Sequence, residues 1–183
     1  MVNEYRNFLT NEECDQIIKL ADHQMQPAKT LGENIDGYRV ADNTWLDDED
    51  PLVSSYKSKI SELVKIPVEN MEKLHIVRYQ IGGEYKNHQD FFHPGESYYD
   101  EQIKRGGQRV VTTIIYLNDD FEGGETDFPQ VGLKVKPETG KLITWKNVLP
   151  NGKLDYNTLH AGLPVTLGKK YIATIWIRES KFV

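Results

Sequence analysis

Three residues of this 183-residue chain have the types and spacing to hold a metal ion: His88 and Asp90, two apart, and His160 far downstream. Two imidazole nitrogens and one carboxylate oxygen can occupy one face of an octahedral Fe(II), leaving the opposite face open for a co-substrate and O2. Residues two apart on a strand point to the same side, so His88 and Asp90 can approach one ion together. Taken alone, a His-x-Asp pair is more often a solvated turn, and His160 a structural histidine. His93 is a rival ligand near His88, although His93-Pro94 reads as loop. His23 falls in a predicted helix and His75 in a predicted strand, and both read as structural.

The company of His160 sharpens the reading. Lys170 follows on a predicted strand where Lys170, Ile172, Thr174, Trp176 and Arg178 share one face by parity. The alternate residues Tyr171, Ala173, Ile175 and Ile177 pack on the other side. Burying a lysine is costly unless something pairs with it. A dianionic co-substrate would be that partner. The rival reading lets Lys170 snorkel to solvent at the strand end, a role that suits Lys169 better.

The elements that must position these residues come in two textures. Thr10 followed by Glu13 is a capping-box pattern, and Cys14, Ile17, Ile18 and Ala21 recur behind it at helical spacing. Phe8, ahead of the cap, can pack back onto that helix. A second helix is predicted over 51–63, with Pro51 in its first turn, an apolar stripe of Leu52, Tyr56, Ile60 and Leu63, and Pro67 beyond its end. After Met71 the chain turns to short β-branched and aromatic runs between Gly, Asn and Asp clusters. Strands are predicted at 74–79, 110–117, 142–145 and 171–177. This order implies an α+β domain whose second part is a β-sandwich or jelly roll. The polar, aromatic stretch 91–108 reads as a mobile loop beside a site, able to close as a lid.

Composition excludes several classes. With 38% hydrophobic and 27% charged residues the chain is an ordinary soluble domain, and 183 residues suffice for one sizeable core. A net charge of −6 argues against a generic nucleic-acid binder. No apolar run is long enough to span a membrane. Cys14 is the only cysteine, so no intrachain disulfide forms. No signal-peptide core stands at the N-terminus, so a reducing cytoplasm is the expected compartment. Nothing in the composition speaks to oligomeric state.

Three stretches, VRYQIGGEYKNHQDFF, GQRVVTTIIYLNDDFEGGETDFP and HAGLPVTLGKKYIATIWIRE, resemble in order and spacing the prolyl 4-hydroxylase branch of the 2-oxoglutarate- and Fe(II)-dependent oxygenases, in its compact microbial or viral form. The resemblance covers roughly Leu74 to Glu179. It implies a double-stranded β-helix (jelly roll) with N-terminal flanking helices. Residues 1–70 would be mainly helical support and substrate loops, and 71–183 the catalytic core of a single domain. It implies that His88, Asp90 and His160 bind iron and that Lys170 binds the far carboxylate of 2-oxoglutarate. Tyr79 and Thr126 would contact the same co-substrate, and Trp176 would lie near the metal. Arg109, Glu72 and, from its donor-only guanidinium, Arg178 would line the substrate groove. Each has a bland rival: a strand aromatic for Tyr79, a strand residue after a turn for Thr126, a surface charge for Arg109. The chain departs from the family's pattern at Tyr171, where a tryptophan is common, and at Trp145, where a phenylalanine is usual. Before residue 71 only 39–46 matches, and loosely.

The implied reaction uses Fe(II), 2-oxoglutarate and O2, with ascorbate an optional addition, and yields succinate, CO2 and a hydroxylated product. The expected substrate is a prolyl residue in a peptide or protein. The alternative is a free amino acid or other small metabolite. A nucleobase demethylase shares the triad but usually anchors 2-oxoglutarate by arginine. A non-catalytic jelly-roll module would not need the triad and Lys170 together.

Overall fold

The first helix begins where the chain supplies its own cap. In the computed structural model, which describes residues 1–30 and 37–183, α1 spans Asn11–Asp22. Thr10 Oγ1 accepts the Glu13 backbone N–H at 3.1 Å, and Glu13 Oε2 accepts the Thr10 N–H at 2.8 Å, closing the predicted capping box. Cys14, Ile17 and Ala21 are buried along the inner face. α2 spans Pro51–Val64, capped by Asp50, whose Oδ1 accepts the Leu52 N–H at 2.9 Å. Phe8 packs edge to face on Tyr56 of α2, with ring centroids 6.1 Å apart.

Among the described residues, two sheets face each other. The major sheet has seven strands, in the order Asn3–Tyr5, Leu142–Lys146, Arg109–Tyr116, Lys170–Arg178, Leu74–Tyr79, Asp42–Leu46 and Gln26–Pro27. The minor sheet has five, in the order Leu133–Val135, Thr126–Phe128, His160–Gly162, Glu84–His88 and Arg39–Val40. All pairings in both are antiparallel. The architecture is the jelly roll that the resemblance implies.

The alternation read along Lys170–Arg178 divides the interior in two. Tyr171, Ala173, Ile175 and Ile177 join Ile17, Val53, Tyr56 and Ile60 in the core between the major sheet and the helices. Ile172 faces the other way, into the core between the sheets with Val77, Tyr116, Phe128 and Trp145. Helices therefore cover one face of the major sheet, and the site lies on the other.

Three features differ from the sequence expectation. The strands Glu84–His88, Thr126–Phe128 and His160–Gly162 are too short and too polar to announce themselves by alternation. The stretch 91–108 holds a short helix, α3, Tyr99–Lys104. The segment before residue 71 is more than helical support, because it supplies strands to both sheets. Among the described residues, no helix is long and apolar enough to cross a membrane.

Candidate active site

Register brings the two histidines together. His88 ends the strand Glu84–His88 and is the direct partner of His160 on the neighbouring strand, with ring centroids 4.2 Å apart. Asp90 follows in the bend after that strand. Its Oδ1 lies 3.7 Å from His88 Nε2 and its Oδ2 3.7 Å from His160 Nε2. One ligand atom from each residue falls within 4.8 Å of the others, and this is the only such cluster among the described residues.

Backbone carbonyls fix both imidazole tautomers. Nδ1 of His88 donates to Lys86 O at 2.7 Å, and Nδ1 of His160 donates to Thr158 O at 2.9 Å. Each ring thereby keeps its Nε2 lone pair for a metal. Burial, reinforced by His160, pushes the His88 imidazolium down to about 3, so the ring is neutral. Burial opposes ionisation of Asp90, but His160, His88 and Arg109 and a hydrogen bond from Thr112 outweigh it, so the carboxyl stays below its ordinary range. Arg109 supplies positive charge to Asp90 whatever the state of the His88 ring. Two imidazoles that each present Nε2 and one carboxylate on one side of an open space fit Fe(II).

Lys170 begins its strand opposite Tyr79, is 2% exposed, and has no carboxylate within ion-pair distance among the described residues. Its Nζ donates to Gly124 O at 2.6 Å and lies 5.0 Å from the Tyr79 ring centroid. Burial lowers its pKa to about 7. Gly124 has φ +67°, and a Cβ there would sit 3.0 Å from Lys170 Cδ, so the glycine admits the lysine stem. Thr126 Oγ1 lies 2.7 Å from the Tyr116 hydroxyl. Lys170, Tyr79 and Thr126 line one inner cavity with His88, Asp90 and His160. A buried amine with no carboxylate in ion-pair contact among the described residues, and with hydroxyls around it, fits a carboxylate placed beyond the metal.

The inner cavity opens into a groove of about 980 Å3, and His75, Tyr85, Arg39 and Trp176 line both. Arg109 stands in the groove wall. Its guanidinium stacks 3.8 Å over the Trp176 ring and grips Glu72 with two bonds, of 2.7 and 2.8 Å. Glu72 is 8% exposed and also accepts from Arg178 Nε at 2.6 Å. Burial works against its charge, but the two arginines hold its pKa below the carboxylate range.

The other expected residues fall into place unequally. Arg178 is fully buried and spends its donors on Glu72 and on the carbonyls of Gln102 and Gly107. It braces the groove from behind. His93 lies with its ring tilted against Phe91 and Tyr156, outside the ligand cluster. Tyr171, one of the departures from the family's pattern, faces the helices and donates to Asp22 at 2.8 Å. Trp145, the other, packs edge-on against His160 at 4.8 Å.

Several contributors escape the sequence. Thr112 donates to Asp90 Oδ2 at 2.8 Å, and Asn147 Nδ2 donates to Thr112 Oγ1 at 2.9 Å. Tyr116 and His75 are the others. Parity on Arg109–Tyr116 places Thr112, Ile114 and Tyr116 on one face, a signal that could have found two of them. Nothing local marks Asn147.

The comparisons agree with this geometry. The pattern of the 2OG-Fe(II) oxygenase superfamily matches residues 74–178. Prolyl 4-hydroxylase 5 of Arabidopsis thaliana is 35% identical over 204 residues, covering 97% of this chain and 68% of that protein. Prolyl 4-hydroxylase 13 of the same plant is 34% identical, covering 96% and 70%. A viral collagen prolyl hydroxylase from Paramecium Bursaria Chlorella virus-1, solved as a 2OG complex, superposes with a TM-score of 0.77 at 31% identity over 96% of this chain and 94% of that one. The matched stretch runs from the strand that carries Tyr79 to the strand that begins at Lys170, so every residue of the inner cavity except Arg39 falls inside it. This enzyme belongs to the 2OG-Fe(II) oxygenase superfamily.

Proposed function

We propose that the chain hydroxylates prolyl residues of a peptide or protein. Bound Fe(II), with 2-oxoglutarate and O2, supplies an oxidation that delivers one oxygen atom to the substrate and one to succinate, with loss of CO2. The chain's own residues position the participants. His88, Asp90 and His160 hold the iron. Lys170, Tyr79 and Thr126 seat the far carboxylate of the co-substrate. Arg109 and Trp176 form the groove wall, and the Glu72 pair fixes the guanidinium in place.

The observation that carries the peptide reading is the groove of about 980 Å3, which leads directly to the triad and is lined by residues from Lys29 to Phe182. A single amino acid would need a closed pocket with its own charge clamp. The relatives named as prolyl hydroxylases support the same target. A reducing, cytoplasmic setting belongs to the proposal, supported by the unpaired, buried Cys14.

The test is succinate release with proline-containing peptides and with free proline, with mass spectrometry for one added oxygen. Peptide-dependent succinate and hydroxyproline are expected. Turnover with free amino acids alone would replace this reading by the small-metabolite one. Repeating the assay with and without ascorbate tests that addition.

A further inference from the structure

His75 lies on the strand Leu74–Tyr79, on the face it shares with Val77 and Tyr79, and lines both the inner cavity and the groove. Its ring is held between two tryptophans from the neighbouring strands. Trp45 stacks on it at 4.7 Å and 25°, and Trp176 at 5.1 Å and 30°. With both faces covered, only the ring edge offers polar contacts.

Asn43 occupies one of them. Its Nδ2 lies 2.9 Å from His75 Nε2. An amide NH2 only donates, so Nε2 is the acceptor and the ring proton sits on Nδ1. That Nδ1–H is buried and meets no acceptor among the described residues. Two more buried donors that line the inner cavity have no partner among the described residues, Trp176 Nε1 on the same sheet and Arg39 Nε on the facing one. Buried polar groups are normally paired, and an unpaired donor costs free energy until an acceptor arrives. Three such donors around one cavity are complementary to a ligand that brings oxygen acceptors. An extended peptide brings one carbonyl per residue.

We infer that His75 is a substrate-positioning residue whose Nδ1–H donates to a carbonyl oxygen of the peptide in the groove. The inference rests on the peptide reading above. Asn43 sets the tautomer, and the two tryptophans set the ring plane. Burial, then the nearby Arg39 and Arg109, keep the ring's pKa well below the ordinary histidine value, so the neutral tautomer is the working form.

Two variants separate donor from ring. His75→Phe keeps an aromatic plate between the tryptophans and deletes the N–H. His75→Gln keeps a donor and deletes the plate. The full chain, loaded with Fe(II), is assayed for KM and kcat with a proline peptide and with 2-oxoglutarate, and for Tm. The peptide KM is expected to rise about fivefold or more in His75→Phe and less in His75→Gln. The KM for 2-oxoglutarate is expected to stay within about twofold, since a substrate contact is uniform binding for the peptide alone. Should His75→Phe lose its fold, His75→Met replaces it as the donor-free variant.

A peptide KM unchanged in His75→Phe but raised in His75→Gln would make the ring a packing spacer and overturn the inference. An equal rise for 2-oxoglutarate would reassign the donor to the co-substrate and overturn it too. Both results leave the peptide reading standing. A wild type that hydroxylates no proline peptide overturns the peptide reading and this inference together.

Discussion

Lys170 shows how one buried group sets a pH dependence. Burial holds its amine at about 7, well below the ordinary lysine range. Below that pH the free protein already carries the ammonium. Above it the amine is neutral, and binding a dicarboxylate must take up a proton. The KM for 2-oxoglutarate should therefore rise with pH above about 7, approaching about tenfold per unit, and Lys170→Met should abolish the rise. A flat profile in the wild type would show that another group carries the carboxylate. Asp90 depends on a different neighbour. Thr112 donates to the oxygen that faces His160, and Asn147 orients Thr112. Thr112→Val keeps the shape and removes the donor. Its affinity for Mn(II), measured by calorimetry as a stand-in for iron, should fall about 10- to 100-fold with little change in fold.

At the scale of elements, strand parity carried most of the legible information. Lys170 to Trp176 alternates between the site and the helix-facing core as the pattern along the strand demands. Beyond it, the register shifts between Ile177 and Arg178. Parity alone could not say that Arg178 ends fully buried behind Glu72 rather than in the groove. The stretch 91–108 was legible as irregular but not in its restraints. Gln108 grips Phe92 from both sides, its Oε1 accepting the Phe92 N–H at 2.7 Å and its Nε2 donating to Phe92 O at 2.9 Å. Phe91 and Phe92 are themselves buried. Any closing motion is thus confined to the segment between these roots. Gln108→Ala should loosen the base and raise succinate formed per hydroxylation, because water then reaches the site more often. An unchanged coupling ratio would argue against a lid.

Over the whole molecule, the metal centre joins parts that the chain keeps far apart. His88 and His160 sit on adjacent strands of the minor sheet, and Asp90 is tied through Thr112 to the major one. A ligand that binds only the folded state stabilises it by mass action. Mn(II) at about 100 times its Kd should add about 2.7 kcal/mol, visible as a rise in Tm that His160→Ala loses. On the far side of the major sheet, α1 is fastened by Asp22, which accepts from Arg78 and Tyr171 at 2.8 Å each, while Arg78 also holds Asp42. That helix layer leaves the opposite face free for the site.

The sequence by itself marked His88, Asp90 and His160 as candidate ligands, the strand face that carries Lys170, the capped helices and the long strands. Each is written in spacing, and spacing acts through the local periods of helix and strand. Only the tertiary structure decided which histidine partners His88, what orients Asp90, where Arg178 spends its donors, and that His75 faces the groove with an unmet N–H. Those outcomes depend on register between strands distant in sequence, and register is set by the pairing of whole sheets.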